Sequence, residues 1–212
     1  MRDFVKGYGK KYSKMLGIDL KNKPFKWFLA SMLFGARITE KIAVNTYREF
    51  DSKKIVTPKK IVEAGWDRLV KILDKGGYVR YDFKTADKLL EVSENLIKNY
   101  GDLNNLHKKA INSKDLEDKL KKLGKGVGDI TVGIFLREMK DVWEKARPEP
   151  RGLVLLAAKN LGIKDLEKYW KKNLSDFEFS EFETALMRLG KDFCRKKKCS
   201  FCPLKKMCPT SF

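Results

Sequence analysis

Several things are scarce in this sequence. No apolar run is long enough to cross a bilayer; the longest, Trp27 to Phe34, is far below the ~20 residues a spanning helix needs. Met1-Arg2-Asp3 leads into Lys and Tyr rather than an apolar stretch, so no secretory signal is expected and the chain is assigned to the cytosol, near the nucleoid. Strict apolar–polar alternation is missing, which argues against a half-buried sheet. There is no internal repeat and no low-complexity tract, so neither a solenoid nor a disordered chain is expected. Cysteine is absent before position 194, which leaves no thiols for a disulfide framework across the body of the protein.

What is abundant is positive charge. Lys and Arg number 47 against 28 Asp and Glu, a formal charge of +19. A surplus of that size attracts a polyanion, and nucleic acid is the commonest one. Two other sources of basicity exist, a Lys-rich proteome and an anionic membrane surface. No basic cluster here sits on an apolar-faced anchor, so no membrane partner is expected.

The four cysteines, Cys194, Cys199, Cys202 and Cys208, are spaced C-x4-C-x2-C-x5-C. Clustered thiols in a reducing compartment point to a metal. Structural zinc sites usually join two separated C-x2-4-C knuckles across a dozen or more residues. One short loop carrying all four suits a [4Fe–4S] cluster, each iron taking one thiolate; zinc stays as the alternative. Arg195, Lys196, Lys197 and Lys198 lie between the first two ligands, where a pinned loop would hold them ready for phosphates.

The rest of the pattern is helical, and the fold class is all-α. Phe25 to Gly35 reads as a buried helix, and Thr57-Pro58 as a helix start. Lys84 to Tyr100 ends at Gly101, a C-cap. Ser113 is read as a cap, and Ser180 to Glu183 as a capping box. Pro148 and Pro150 mark an irregular segment between helical halves. At the centre lies Leu123-Gly124-Lys125-Gly126-Val127-Gly128-Asp129-Ile130-Thr131, between two helices. Glycine lets a backbone turn tightly and approach another closely, and the following helix begins with unpaired N–H groups. Together these form a cradle for a phosphate. A tight helix–helix turn alone would use the same glycines.

Helix, G-V-G, helix and a downstream cysteine quartet resemble the helix-hairpin-helix base-excision DNA glycosylases, in the endonuclease III and adenine-glycosylase branch. The likeness covers nearly the whole chain. It implies a bilobal fold: a six-helix barrel with the hairpin over residues 24–140, and a cluster domain from 1–23 and 141–212. Pro24 to Glu40 looks like the family's early barrel helix, with Arg37 where a polar plug is presented. Gly77 to Leu89 looks like its minor-groove element, with Tyr78, Val79, Arg80 and Tyr81 as a wedge. Gly126 to Thr131 is similar to the hairpin G-V-G-x-K-T. By this resemblance Gly124, Lys125, Gly126, Val127, Gly128, Ile130 and Thr131 contact DNA.

The chain departs from that pattern in three places. Its first two cysteines have a gap of four residues, where the family has about six. The position of the family's Schiff-base lysine is Ile130, which has no nucleophile. The stretch Lys145 to Gly152, in the register of the family's essential aspartate, contains none. Cleaving an N-glycosidic bond needs a carboxylate, for which Glu149 is nearest and Asp141 is the nearest aspartate. Lyase chemistry needs a neutral amine, for which Lys145 is the candidate, with Lys125 and Lys140 as alternatives. His107, between leucines, is read as structural. The expected function is a DNA glycosylase or abasic-site lyase, acting as a monomer on damaged or abasic double-stranded DNA. The alternative is a catalytically inactive lesion- or structure-specific DNA-binding protein.

Overall fold

The structure is a computed structural model, and it describes residues 1–210. It is all-α, with no strand among the described residues. In chain order the helices are α1 (Arg2–Tyr8), α2 (Tyr12–Met15), α3 (Pro24–Phe34), α4 (Glu40–Ser52), α5 (Pro58–Lys75) and α6 (Asp82–Tyr100). They continue with α7 (Leu103–Lys109), α8 (Ser113–Lys121), α9 (Asp129–Met139), α10 (Leu153–Asn160), α11 (Leu166–Asn173) and α12 (Phe179–Leu189). None is long and apolar enough to cross a membrane. The chain divides into two units, Leu16–Pro148 and Met1–Met15 with Glu149–Phe212. Each breakpoint lies eight residues outside the 24–140 interval, because Ile18 and Leu20 at one end and Trp143 and Ala146 at the other are buried.

In the larger unit α3 is buried on nearly every side, as its lack of a polar face demands. The Trp27 indole donates to the Phe135 carbonyl at 3.1 Å, and Phe28 meets the Phe135 ring edge-on at 4.9 Å. This fixes α3 against α9. Side-chain caps start several helices: Thr39 accepts from the Ile42 N–H, Thr57 from Lys60 and Asp102 from Asn105. The cap of α8 is Asn112, accepting from the Asp115 N–H at 2.9 Å, and Ser113 is the first helical residue instead. Gly101, at φ 80°, ends α6 as expected.

In the smaller unit α1, α10 and α12 close around Phe4, Val5, Val154, Ala157, Phe182, Leu186 and Leu189. The capping box of α12 sits two residues before its expected place. Glu178 is the cap, and its own N–H donates to the Glu181 carboxylate at 3.1 Å. Ser180 is buried within the helix, so the box uses two glutamates. Arg188 straps the N-terminal segment down by donating to the Tyr8 and Lys10 carbonyls at 2.6 and 2.8 Å, with its guanidinium 4.6 Å over the Tyr12 ring.

Candidate nucleic-acid interface and cysteine loop

The hairpin joins α8 to α9 and lies on α6. Asn95 donates to the Leu123 carbonyl at 2.9 Å, and the Lys125 N–H donates to the Glu91 carboxylate at 2.8 Å. A Cβ on Gly124 would stand 2.8 Å from a Val92 methyl, so this glycine permits close packing. Gly126 sits at φ 85°, where a side chain is strained. The Val127 N–H closes the turn onto the Gly124 carbonyl at 3.1 Å. Gly128 is the N-cap of α9 and offers no side chain to its first turn.

The residues assigned to DNA contact divide by exposure. Lys125, Gly126, Gly128 and Ile130 are exposed, whereas Val127 and Thr131 are buried. Thr131 is packed against the end of α3, where a Cβ on Gly35 would collide with its hydroxyl. The hairpin therefore presents backbone and Lys125, not the Val127 or Thr131 side chains. Ile130 stands 68% exposed at the register where the resemblance calls for a lysine.

Arg37 is exposed, in the bend between α3 and α4 and not on the helix. Tyr78 also departs from expectation. Its ring is fully buried, its hydroxyl donates to the Leu33 carbonyl at 3.4 Å, and burial pushes its ionisation up to about 12. Tyr78 anchors the α5–α6 turn and is no wedge. Val79 and Arg80 carry the exposed side chains of that turn, with the Arg80 guanidinium 5.4 Å over the half-buried Tyr81 ring.

Lys145 is half-buried, and its ammonium donates to the His107 and Lys108 carbonyls at 3.4 and 3.3 Å. Its ammonium thus closes the C-terminal carbonyls of α7, so the group is engaged in a structural contact. Asp141 is exposed in the turn after α9, and Glu149 is exposed in the irregular stretch that opens the other unit. The structure does not bring Lys145 and Glu149 into one unit. His107 stacks on Trp143 at 4.7 Å and 5°; burial first, then Lys145, hold it below its ordinary value. Its Nε2 is buried without a hydrogen-bond partner, which leaves the ring a packing element.

Sequence reasoning missed Lys88. On α6, its stem lies 3.5 Å from where a Gly126 Cβ would be, and burial pushes its amine below the ordinary range. Among 47 basic residues nothing in the sequence singles it out, because the contact spans 38 positions.

The cysteine loop continues α12. After Leu189 the helix widens into a π-type turn, Gly190–Cys194, which delivers the first thiol. A Cβ on Gly190 would fall 2.2 Å from the Leu153 carbonyl oxygen, so only glycine lets α10 pack here. The Lys197 N–H donates to the Cys194 carbonyl and the Lys198 N–H to that of Phe193, with Lys197 at φ 52°. This left-handed cap displays Arg195, Lys196, Lys197 and Lys198, all exposed. Short 3-10 turns, Cys199–Phe201 and Lys205–Met207, shape the rest around buried Leu204. All four thiols are unbridged and partly buried. Burial pushes Cys194 up; Asn160 opposes this by a hydrogen bond, and the other three sulfurs add to it. Cys208 Sγ lies 3.2 Å from the Asn160 carbonyl. Among the described residues, no three Cys, His, Asp or Glu are grouped as they would be around a single ion.

The chain matches no family model, and no curated protein matches it.

Proposed function

We propose that this chain is a base-excision repair enzyme of the endonuclease III-like kind, a glycosylase or abasic-site lyase acting on damaged or abasic double-stranded DNA. The observation that carries the reading is the hairpin. It joins an exposed Lys125, a glycine turn and an uncapped start of α9 on one exposed edge. First-turn amides with the positive end of a helix hold a phosphate well. Support also comes from the +19 charge and the row of cations on the cysteine loop.

In this reading Cys194, Cys199, Cys202 and Cys208 hold a [4Fe–4S] cluster, and their donor chemistry fits it: four unbridged, partly buried thiols on one short loop. A cluster that takes one thiolate per iron tolerates a wider spread of sulfurs than zinc, which draws four to about 2.3 Å. When bound, the group supplies a rigid centre for the loop. The chain's own residues do the rest: Lys197 and Lys198 close the cap and Leu204 anchors it.

Catalysis would run from non-standard residues. Glu149 and Asp141 are exposed carboxylates able to support sugar cleavage with water, while Lys88, beside the Gly126 turn, has an amine whose charge burial disfavours. The exposed Ile130 and the engaged Lys145 favour a second reading, a lesion-binding protein without turnover.

The deciding experiment presents abasic, uracil, thymine-glycol and oxoguanine duplexes to the purified chain, with borohydride present in parallel reactions. Strand cleavage with a trapped adduct identifies a lyase. Base release without an adduct identifies a water-using glycosylase. Tight binding without turnover selects the second reading, and indifference to duplexes at low salt sinks both.

A further inference from the structure

Trp66 and Phe83 form an exposed aromatic pair that the function above does not use. Trp66 is 38% exposed and Phe83 57%, with ring centroids 5.1 Å apart and planes tilted by 45°. The pair is built by a break in α5. Gly65 takes φ 70° and ψ 169°, a conformation reserved for glycine, and the helix resumes at Trp66. The indole N–H then donates to the Asp87 carboxylate at 2.8 Å. Asp87 lies one turn after Phe83 on α6, so one helix carries both the partner ring and the acceptor that fixes the indole. More than a third of Trp66 and more than half of Phe83 stay in water, area that a stacked ligand would cover.

The pair is continuous with the hairpin. Phe83, Asp87 and Glu91 follow one another at helical spacing, and Glu91 accepts the Lys125 N–H. At 1.5 Å per residue the rings stand about 12 Å along α6 from that contact, about three to four stacked nucleotides of one strand. Arg68, Arg80 and Lys84 are exposed nearby in sequence, while Asp87 is occupied by the indole. Flat rings in register with a glycine turn, with these cations and one exposed carboxylate, Asp67, near them in sequence, are the components a single-strand binding surface uses.

We propose that Trp66 and Phe83 are a stacking platform for an unpaired nucleobase of single-stranded DNA whose backbone is held at the hairpin. The inference rests on the DNA reading above and adds a substrate preference to it: gaps, bubbles or overhangs beside the lesion bind better than blunt duplex. Every base offers a π-face, so the platform is indifferent to sequence.

The test measures binding of the full chain to oligothymidylate and to a blunt duplex by fluorescence anisotropy. Trp66→Ala and Phe83→Ala weaken oligothymidylate about ten-fold or more, leave the duplex unchanged, and Trp66→Phe restores most of the loss. Both rings are exposed, so folding survives; matching melting curves check it. The platform is refuted if single-strand binding ignores the rings or if both ligands weaken equally. It is also refuted if the wild type sediments as a dimer that Trp66→Ala dissolves, since a second copy then covers the rings. Wild type that binds neither ligand overturns the DNA reading itself. Duplex binding that survives with ring-independent oligothymidylate binding overturns the platform alone.

Discussion

Gly128→Ser separates what the hairpin does for the fold from what it does for a ligand. Gly128 has φ −103° and ψ −173°, extended backbone that serine adopts freely, and a Cβ there meets nothing within 4 Å. The new hydroxyl would accept from the Ile130 or Thr131 N–H, as Asn112 does at the start of α8. Serine gains only a few tenths of a kcal/mol over glycine at an N-cap, so the melting temperature rises by about 1 °C. Binding moves the other way. If those amides grip a phosphate, the hydroxyl competes for a charge-assisted bond of roughly 1.5–3 kcal/mol, and duplex affinity falls about ten-fold or more. The salt dependence becomes shallower by about one ion. Gly128→Ala is the control: it adds a Cβ without an acceptor and keeps affinity near wild type. Anisotropy titrations at several salt concentrations, beside thermal melts, read both effects. A serine variant that melts higher and binds as tightly refutes the phosphate cradle.

Three further outcomes follow from local energetics. Lys197→Gly relieves a left-handed residue and stabilises the cysteine-bearing unit by about 1 kcal/mol, seen in melts, while duplex binding loses one phosphate contact. Glu178→Gln exchanges the charged acceptor 2.7 Å from the Lys11 ammonium, itself 4% exposed, for a neutral one; the cost is about 1–2 kcal/mol, given a carboxylate that is itself half in water. Burial opposes the Glu178 charge, but Lys11 and Lys14 outweigh it and hold the carboxyl below its ordinary value. Its contribution is therefore complete above about pH 4.3 and lost as pH falls through the folded value, so the acid unfolding limb of Glu178→Gln is shallower in urea titrations. Lys88→Met removes an amine whose charge burial disfavours. The melting temperature rises at neutral pH, and the gain shrinks as pH climbs toward about 10.4, where the unfolded lysine also loses its proton.

The features that were legible in the sequence are those written in consecutive residues. Helical periodicity, Thr57-Pro58, Gly101 and the glycine turn at 124–128 need only neighbours to act, and each appears where the pattern places it. The caps at Asn112 and Glu178 were displaced by one or two positions because adjacent polar residues compete for the same N–H groups, and backbone angles decide between them. The misassigned side chains depend on distant partners. Tyr78 turns inward because the Leu33 carbonyl waits 45 residues away, and Lys145 becomes a cap because the end of α7 lies beside it. Lys88 beneath Gly126 and Trp66 beside Phe83 arise the same way, where α6 meets a second element. A phosphate grip can be built from a single turn, so its residues can be read in order. A reactive amine or a stacking platform needs burial and orientation from separate helices, which residue type alone does not encode. That difference is why the glycine turn at 124–128 was visible from the sequence and the contacts of Tyr78, Lys88 and Lys145 were not.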